Sequence, residues 1–253
     1  LGTIFISPPQ LLEGDYTTPA ALITFDDGMQ GYFQNAVPIL KEFSIPSIIF
    51  LNMAPIEGEI FWLGLVAYLT DDPLFREFVR KESNDDGNAP LFLRCSKEIV
   101  DDYLFSRPDG HLLDAARRFY GAFATLDDLR SVNGDPLVYF GNHLYNHYNA
   151  LKLSPEALRE EYLLNEEKIL GYSNGLSMFS YPFGQPGTCF NEQVTDLIFS
   201  FGAQAIFSSS GRLNRIGQGR FYDRVALDEK AESINDLFFK LRYYQLRNLV
   251  RTA

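Results

Sequence analysis

Cysteine, histidine and tryptophan are scarce in these 253 residues, with two, three and one copies. Two cysteines, Cys95 and Cys189, are too few for a disulfide framework, and a reducing compartment suits them. Basic residues are outnumbered, 22 Lys and Arg against 33 Asp and Glu, leaving a formal charge of −11. No Lys/Arg cluster is long enough to build the basic face that a nucleic acid or an anionic membrane surface requires. No apolar run approaches the ~20 residues of a membrane span. The opening "LGTIFISPPQ" has no basic region and no cleavage-site pattern, so no secretion signal is expected and the cytoplasm, of a bacterium, is. Fixed-period repeats and low-complexity tracts are missing too. Aromatics are plentiful: 22 Phe and 14 Tyr can fill a sizeable core.

The apolar residues fall into alternating strand and helix patterns. "AALITF" (20–25) is a continuous branched and aromatic run, the mark of a strand buried on both faces. "YFQNAVPILKEFSI" (32–45) has helical spacing, and "SIIFLN" (47–52) is a second buried strand. Together they form a βαβ unit. From about 53 to 136 the pattern turns mostly helical, around the polar loop "ESNDDGNAP". Alternation then resumes with strands at 137–142, 177–184, 203–211 and 223–229. Helices are expected at 154–171, where Ser154 caps and Pro155 opens the first turn, at 191–202 behind Asn191, and at 234–250. The expectation is one α/β domain over 1–253, a distorted barrel of about seven parallel strands, interrupted by a helical insertion at about 53–136.

Two acids, Asp26 and Asp27, close the first strand, at the end where parallel α/β folds place their chemistry. The same three letters recur at Asp85-Asp86-Gly87 with nothing apolar before them, so Asp-Asp-Gly alone carries no meaning. His143 and His147 stand four apart in "GNHLYNH", directly after another strand. In a helix or tight turn that spacing puts both imidazoles on one side. Two imidazoles and one carboxylate make a three-ligand metal set, open to Zn²⁺ and equally to Co²⁺, Ni²⁺, Mn²⁺ or Fe²⁺. Leu144 stands where the zincin spacing would have its glutamate base, so a base must come from elsewhere. Neighbouring side chains on an extended strand diverge. One aspartate would therefore bind the ion while the other takes a proton from water.

"TFDDG", "PILKEFSIPSIIFLN", "GNHLYNH" and "SYPFG", in that order and spacing, resemble the polysaccharide deacetylases, the NodB-homology or carbohydrate esterase family 4 fold. The resemblance covers roughly 18–52 and 137–211. It implies Asp26 as general base, Asp27, His143 and His147 as ligands of a divalent ion, most readily Zn²⁺, and the Phe183 N–H as an oxyanion donor. It also implies a turn made by Tyr181, Pro182 and Gly184 that contacts substrate. The chain departs from the family in three places. Leu144 replaces a Ser or Thr. Ser180 stands where many members carry the Arg that orients the base, leaving Arg220 or Arg224 as substitutes, of which Arg224 is preferred. No histidine follows His147 to serve as general acid; His111 reads as a surface or capping residue and stays outside the catalytic set. Trp62 in "IFWLG" would stack on a sugar ring or else belong to the insertion's core, "SSSG" (208–211) would line the pocket, and Cys189 reads as structural.

The expected activity is metal-dependent hydrolysis of an N-acyl group, acetyl or formyl, from an amino sugar. The acidic surface disfavours long anionic polymers. A large insertion suits a discrete substrate, such as a nucleotide- or lipid-linked sugar of surface polysaccharide synthesis of the O-antigen type. A non-sugar amide or cyclic amide, or a non-catalytic carbohydrate-binding barrel, are the alternatives. The oligomeric state is left open.

Overall fold

The computed structural model describes residues 3–14, 16, 18–83, 90–107, 110–215, 217, 219–227, 236, 242 and 243. The Asp85-Asp86-Gly87 loop, the end of the strand expected at 223–229 and nearly all of the helix expected at 234–250 lie outside them.

The first expected strand is broken in two. β1 (Ile4–Phe5) leads through α1 (Pro8–Glu13) to β2 (Ala20–Ala21), which pairs with β1, and then to β3 (Ile23–Phe25), which pairs with β4 (Ser47–Leu51). Between β3 and β4 the helix opens into a π-turn at Tyr32–Ala36 before α2 (Val37–Glu42). Pro38 lies at the start of α2 and explains this widening: it has no N–H, and its ring crowds the carbonyl four residues back. The chain between β4 and β5 (Val138–Asn142) is helical. It contains α3 (Met53–Ile56), α4 (Trp62–Tyr68), α5 (Pro73–Glu82), α6 (Leu91–Arg94), α7 (Lys97–Ser106), α8 (Gly110–Tyr120) and α9 (Leu126–Ser131). Then come α10 (Pro155–Leu170), β6 (Gly175–Ser180), α11 (Glu192–Ser200), β7 (Ala205–Ser208) and β8 (Phe221–Asp223). Ser154 and Asn191 accept from the N–H of the third residue of α10 and α11, Ala157 and Val194, and so cap them.

The main sheet has six parallel strands in the order β3-β4-β5-β6-β7-β8, with β1 and β2 as a separate pair. Laid flat, its outer strands would stand ~24 Å apart, five spacings of ~4.8 Å. Yet Arg224, just past β8, reaches Asp26, just past β3, at 2.7 and 2.8 Å. The sheet is therefore curled into a distorted barrel, and this ion pair joins its two edges.

Period-two alternation sorts the side chains. Ile48, Phe50, Met178, Ala205 and Phe207 fill the interior, closed from below by Ile6 and Leu11. Ile49, Leu51 and Phe140 face outward against the π-turn and α9, and Phe179 and Ile206 against α10 and α11. At Gly141 the interior tolerates no side chain, because a Cβ would lie 2.6 Å from the Phe50 ring. The helical segment has a core of its own, built on Trp62, Leu65, Phe75, Val79 and Tyr103. It is also stitched to the barrel: Gln30 N–H donates to Ala122 O and Ala124 N–H to Gly28 O.

Candidate metal centre

Continuing the inward parity to the carboxyl ends of the strands gives Asp26, Asn52, His143, Ser180, Ser209 and Arg224. The barrel is apolar below and polar at its mouth. Asp26 sits there in a fork: Arg224 Nη1 and Nη2 donate to its two oxygens at 2.7 and 2.8 Å. The same guanidinium reaches Thr24 Oγ1 at 3.3 Å and Ser209 Oγ at 3.2 Å, and lies over the Phe50 ring. Five donors in a fixed plane suit this many acceptors, and a lysine would not serve. Arg220, the other candidate, packs on Phe199 and lines a cavity of about 530 Å³ together with Leu11, Tyr16 and Tyr222.

Asp27 points elsewhere because the chain turns on it. Its φ is 71°, and Gly28 N–H donates back to Asp26 O at 3.0 Å. This tight turn, not an extended strand, is what separates the two carboxylates. Gly28 follows at φ 78°, a conformation that glycine adopts without strain. Asp27 Oδ1 then lies 3.5 Å from His143 Nε2 and 3.2 Å from His147 Nε2.

The two histidines converge without a helix. Leu144 and His147 are both left-handed, with φ of 59° and 57°, and these reversals bring the rings to 4.9 Å, edge to face. Backbone of this kind costs on the order of 1–3 kcal/mol per residue and persists only where the surroundings enforce it. Asp27 and Phe183 (φ 64°) share it, so four of the five such non-glycine residues among those described border this site.

Charge and tautomer favour a cation. His143 Nδ1 donates to Ser180 O at 2.7 Å, which leaves its Nε2 lone pair facing Asp27. Burial alone would raise the Asp27 carboxyl, but the two imidazoles hold it far below the usual carboxylate range. Burial likewise opposes a charge on His143, and the Asp26 and Asp27 carboxylates override it upward. Asp27 Oδ1 is buried with no hydrogen-bond donor. The three possible ligand atoms all lie within 4.8 Å of one another. A buried carboxylate oxygen and two imidazole nitrogens converging this closely fit a divalent cation of the borderline type, Zn²⁺ and its first-row neighbours, bound when both Nε2 atoms are free of a proton.

The walls are aromatic. Phe61 and Phe183 stand edge-on to His147 at 5.5 and 4.9 Å. Tyr120 and Phe123 pack on Phe61, and Phe92 packs on Phe183. Burial, then the Asp27 charge, pushes the Tyr120 phenol well up, so it keeps its proton. All of these but Phe183 come from the helical segment.

Several sequence expectations are corrected here. Trp62 does not offer a face to a sugar: it is 3% exposed in the core of the helical segment, and its indole N–H donates to Asn146 O at 2.8 Å. Tyr181 has the outward parity, is fully buried, stacks on Phe190 at 4.2 Å and bonds Thr195 Oγ1. Pro182 and Gly184 are buried as well; they shape the turn and offer no side chain to a substrate. A Cβ on Gly184 would lie 2.7–2.8 Å from Ser209 atoms, its backbone nitrogen included. The Phe183 N–H donates to no backbone carbonyl among the described residues. Asn52 was not anticipated, and Ser180 was noted only as standing in the place of an arginine: both are buried at the barrel mouth with side-chain atoms that have no partner. Counting inward parity along "IIFLN" and "MFS" would have found them.

The family pattern described as polysaccharide deacetylase matches residues 13–206. Several solved structures share the fold. A deacetylase from Streptococcus pyogenes, PplD, solved in complex with acetate, has a TM-score of 0.61 and 14% identity over 95% of this chain and 80% of its own. IcaB from Ammonifex degensii has a TM-score of 0.60 and 17% identity over 94% and 83%. A de-N-acetylase from Aggregatibacter actinomycetemcomitans has 0.58 and 16% over 94% and 82%. No curated protein matches the sequence.

Proposed function

Since this chain belongs to the polysaccharide deacetylase family, we propose that it is a metal-dependent hydrolase that removes an N-acyl group, acetyl or formyl, from an amino sugar. The observation that carries the reading is the meeting of Asp27, His143 and His147 beside an Asp26 fixed by Arg224. In this reading Asp27 Oδ1 and the two Nε2 atoms hold the cation. When bound, it supplies Lewis-acid polarisation of the acyl carbonyl and makes a water more acidic.

The protein's own residues do the rest. Asp26 takes a proton from the attacking water on one of its carboxylate oxygens, while the Arg224 fork keeps that carboxylate aimed. The water oxygen adds to the acyl carbon. The Phe183 N–H donates to the oxyanion that develops there. As the C–N bond breaks, the proton on Asp26 passes to the leaving amine, giving a free amino sugar and a carboxylic acid. This assignment needs no late histidine. Phe61, Tyr120, Phe123 and Phe92 supply apolar faces on which a pyranose ring packs, and they exclude water from the reacting carbonyl. A sugar carried on a nucleotide or lipid, as used in building surface polysaccharides, is the substrate class we favour, because the helical segment walls the site and the chain is acidic.

The test is acetate or formate release from a panel of N-acylated amino sugars, free, nucleotide-linked and lipid-linked, with simple amides as comparison. Release that requires a sugar and is abolished by a chelator supports the reading. Turnover of simple amides alone, or release indifferent to chelation, overturns it.

A further inference from the structure

We propose that Glu161 and Asn165, one turn apart on the same face of α10, are positioning residues that set His143 and His147 for cation binding. The proposal rests on reading those histidines and Asp27 as the cation site. The loop from Asn142 to His147 contains two left-handed residues, and neither Leu144 nor His147 adopts that backbone willingly. Something outside the loop must hold it.

Each half of the loop is held by a different α10 side chain. Asn165 is fully buried in mid-helix, a place that asparagine does not favour. Its amide donates to Leu51 O at 2.7 Å and to Asn142 Oδ1 at 2.8 Å, and it accepts from Met53 N–H at 3.0 Å. Leu51 O is also the acceptor for His143 N–H at 3.0 Å. Asn142 Oδ1 is also the acceptor for Leu144 N–H at 3.0 Å. Asn165 therefore touches the partners of the backbone on both sides of His143. The Asn142 amide is returned to the same helix, donating to Tyr162 O and Glu166 Oε2 at 3.0 and 2.9 Å.

Glu161 holds the second half. Its carboxylate accepts from Asn146 N–H at 2.8 Å and from Asn146 Nδ2 at 2.7 Å, a two-pronged grip on the residue before His147. Residues four apart on a helix share a face, so one rigid element sets both imidazoles at once. A helix that merely packs on a sheet would use apolar side chains here. At these positions α10 instead carries a buried Asn165 and a half-buried Glu161, whose desolvation is offset by their bonds to the loop and to the end of β4. In other metal sites, groups behind the ligands tune affinity by 10–100-fold.

The test uses the whole chain and Co²⁺ or Zn²⁺ alone, with affinity read by competition against a chromophoric chelator and the Co²⁺ visible spectrum recorded. The variants are Asn165→Leu, Glu161→Ala and Glu161→Gln, each checked by circular dichroism and measured well below its unfolding temperature. Val79→Ala, in the separate core of the helical segment, is the destabilised control. Asn165→Leu and Glu161→Ala are expected to weaken binding about 10–100-fold with an altered Co²⁺ spectrum. Glu161→Gln, which keeps an acceptor for Asn146, recovers part of it. Val79→Ala lowers the unfolding temperature and leaves affinity unchanged. If Asn165→Leu does not fold, the two Glu161 variants decide. Wild-type affinity in the folded variants, however unstable they are, overturns the positioning role. Failure of the wild type to bind either ion overturns the cation-site reading itself, and the positioning role with it.

Discussion

Replacing Arg224 by methionine separates two jobs that one side chain performs. Methionine keeps the apolar stem over Phe50 and removes the fork on Asp26. Losing one partner of a fully buried ion pair costs ~3–5 kcal/mol. Here the side chains of Arg224 and Asp26 are 13% and 33% exposed, so water and salt recover part of that. A stability loss of about 1–3 kcal/mol is expected. The loss falls on sheet closure, since the pair joins the strand-end residues of β3 and β8. The kinetic effect is separate and of similar size in free energy. An unheld Asp26 samples other rotamers, and misplacement of a reacting group by ~1 Å can cost ~100-fold in rate. Arg224→Lys restores the charge without the fork, and should return most of the stability and little of the rate. The assays are urea denaturation and initial rates of acetate release, with the cation saturating. If Arg224→Met folds and turns over within twofold of the wild type, Asp26 is not a base held by this guanidinium, and the proton path through it is wrong.

The remaining outcomes follow from the same geometry. Asp26→Asn should retain the cation and lose turnover, whereas His147→Ala should lose both; metal content measured on the purified variants separates the two. Trp62→Phe removes the bond to Asn146 O and should cost about 1 kcal/mol of stability, with KM for the sugar unchanged, because the indole faces the core. Glu166 is held above its ordinary pKa mainly by burial, against bonds from Ser177, Asn142 and Tyr162. A folded-state pKa raised above the unfolded one gives a contribution that is full below the ordinary carboxylate range and lost as pH rises through the folded value. The wild type should therefore lose stability relative to Glu166→Gln as pH rises from about 4 into that window, as read from denaturation midpoints. A parallel pH dependence of the two proteins would show that Glu166 does not titrate this way.

The local grammar of the sequence determined much of this protein. Continuous apolar runs at "SIIFL" and "LVYF", short and rich in branched and aromatic residues, read as strands covered on both faces. Ser154 and Asn191 start helices because their side chains satisfy backbone N–H groups that have no helical partner. The quoted motifs, with their order and spacing, carry the family and with it the candidate ligands. What periodicity could not show was how elements far apart in the chain meet. Nothing local to "YDRVA" marks Arg224 as the partner of a residue 198 positions earlier; curling of the sheet brings them together. The turn at Asp27 and the left-handed Leu144 and His147 are imposed by contacts from α10 and the helical segment, against the backbone preference of those residues. Trp62 and Tyr181 look like sugar-binding aromatics in one dimension and are core in three, because strand parity and helix packing decide which face each presents. Composition and spacing thus named the groups capable of the chemistry. Only the tertiary structure decided which of them share a site, since that depends on long-range closure and on strain that no short stretch of chain would adopt alone.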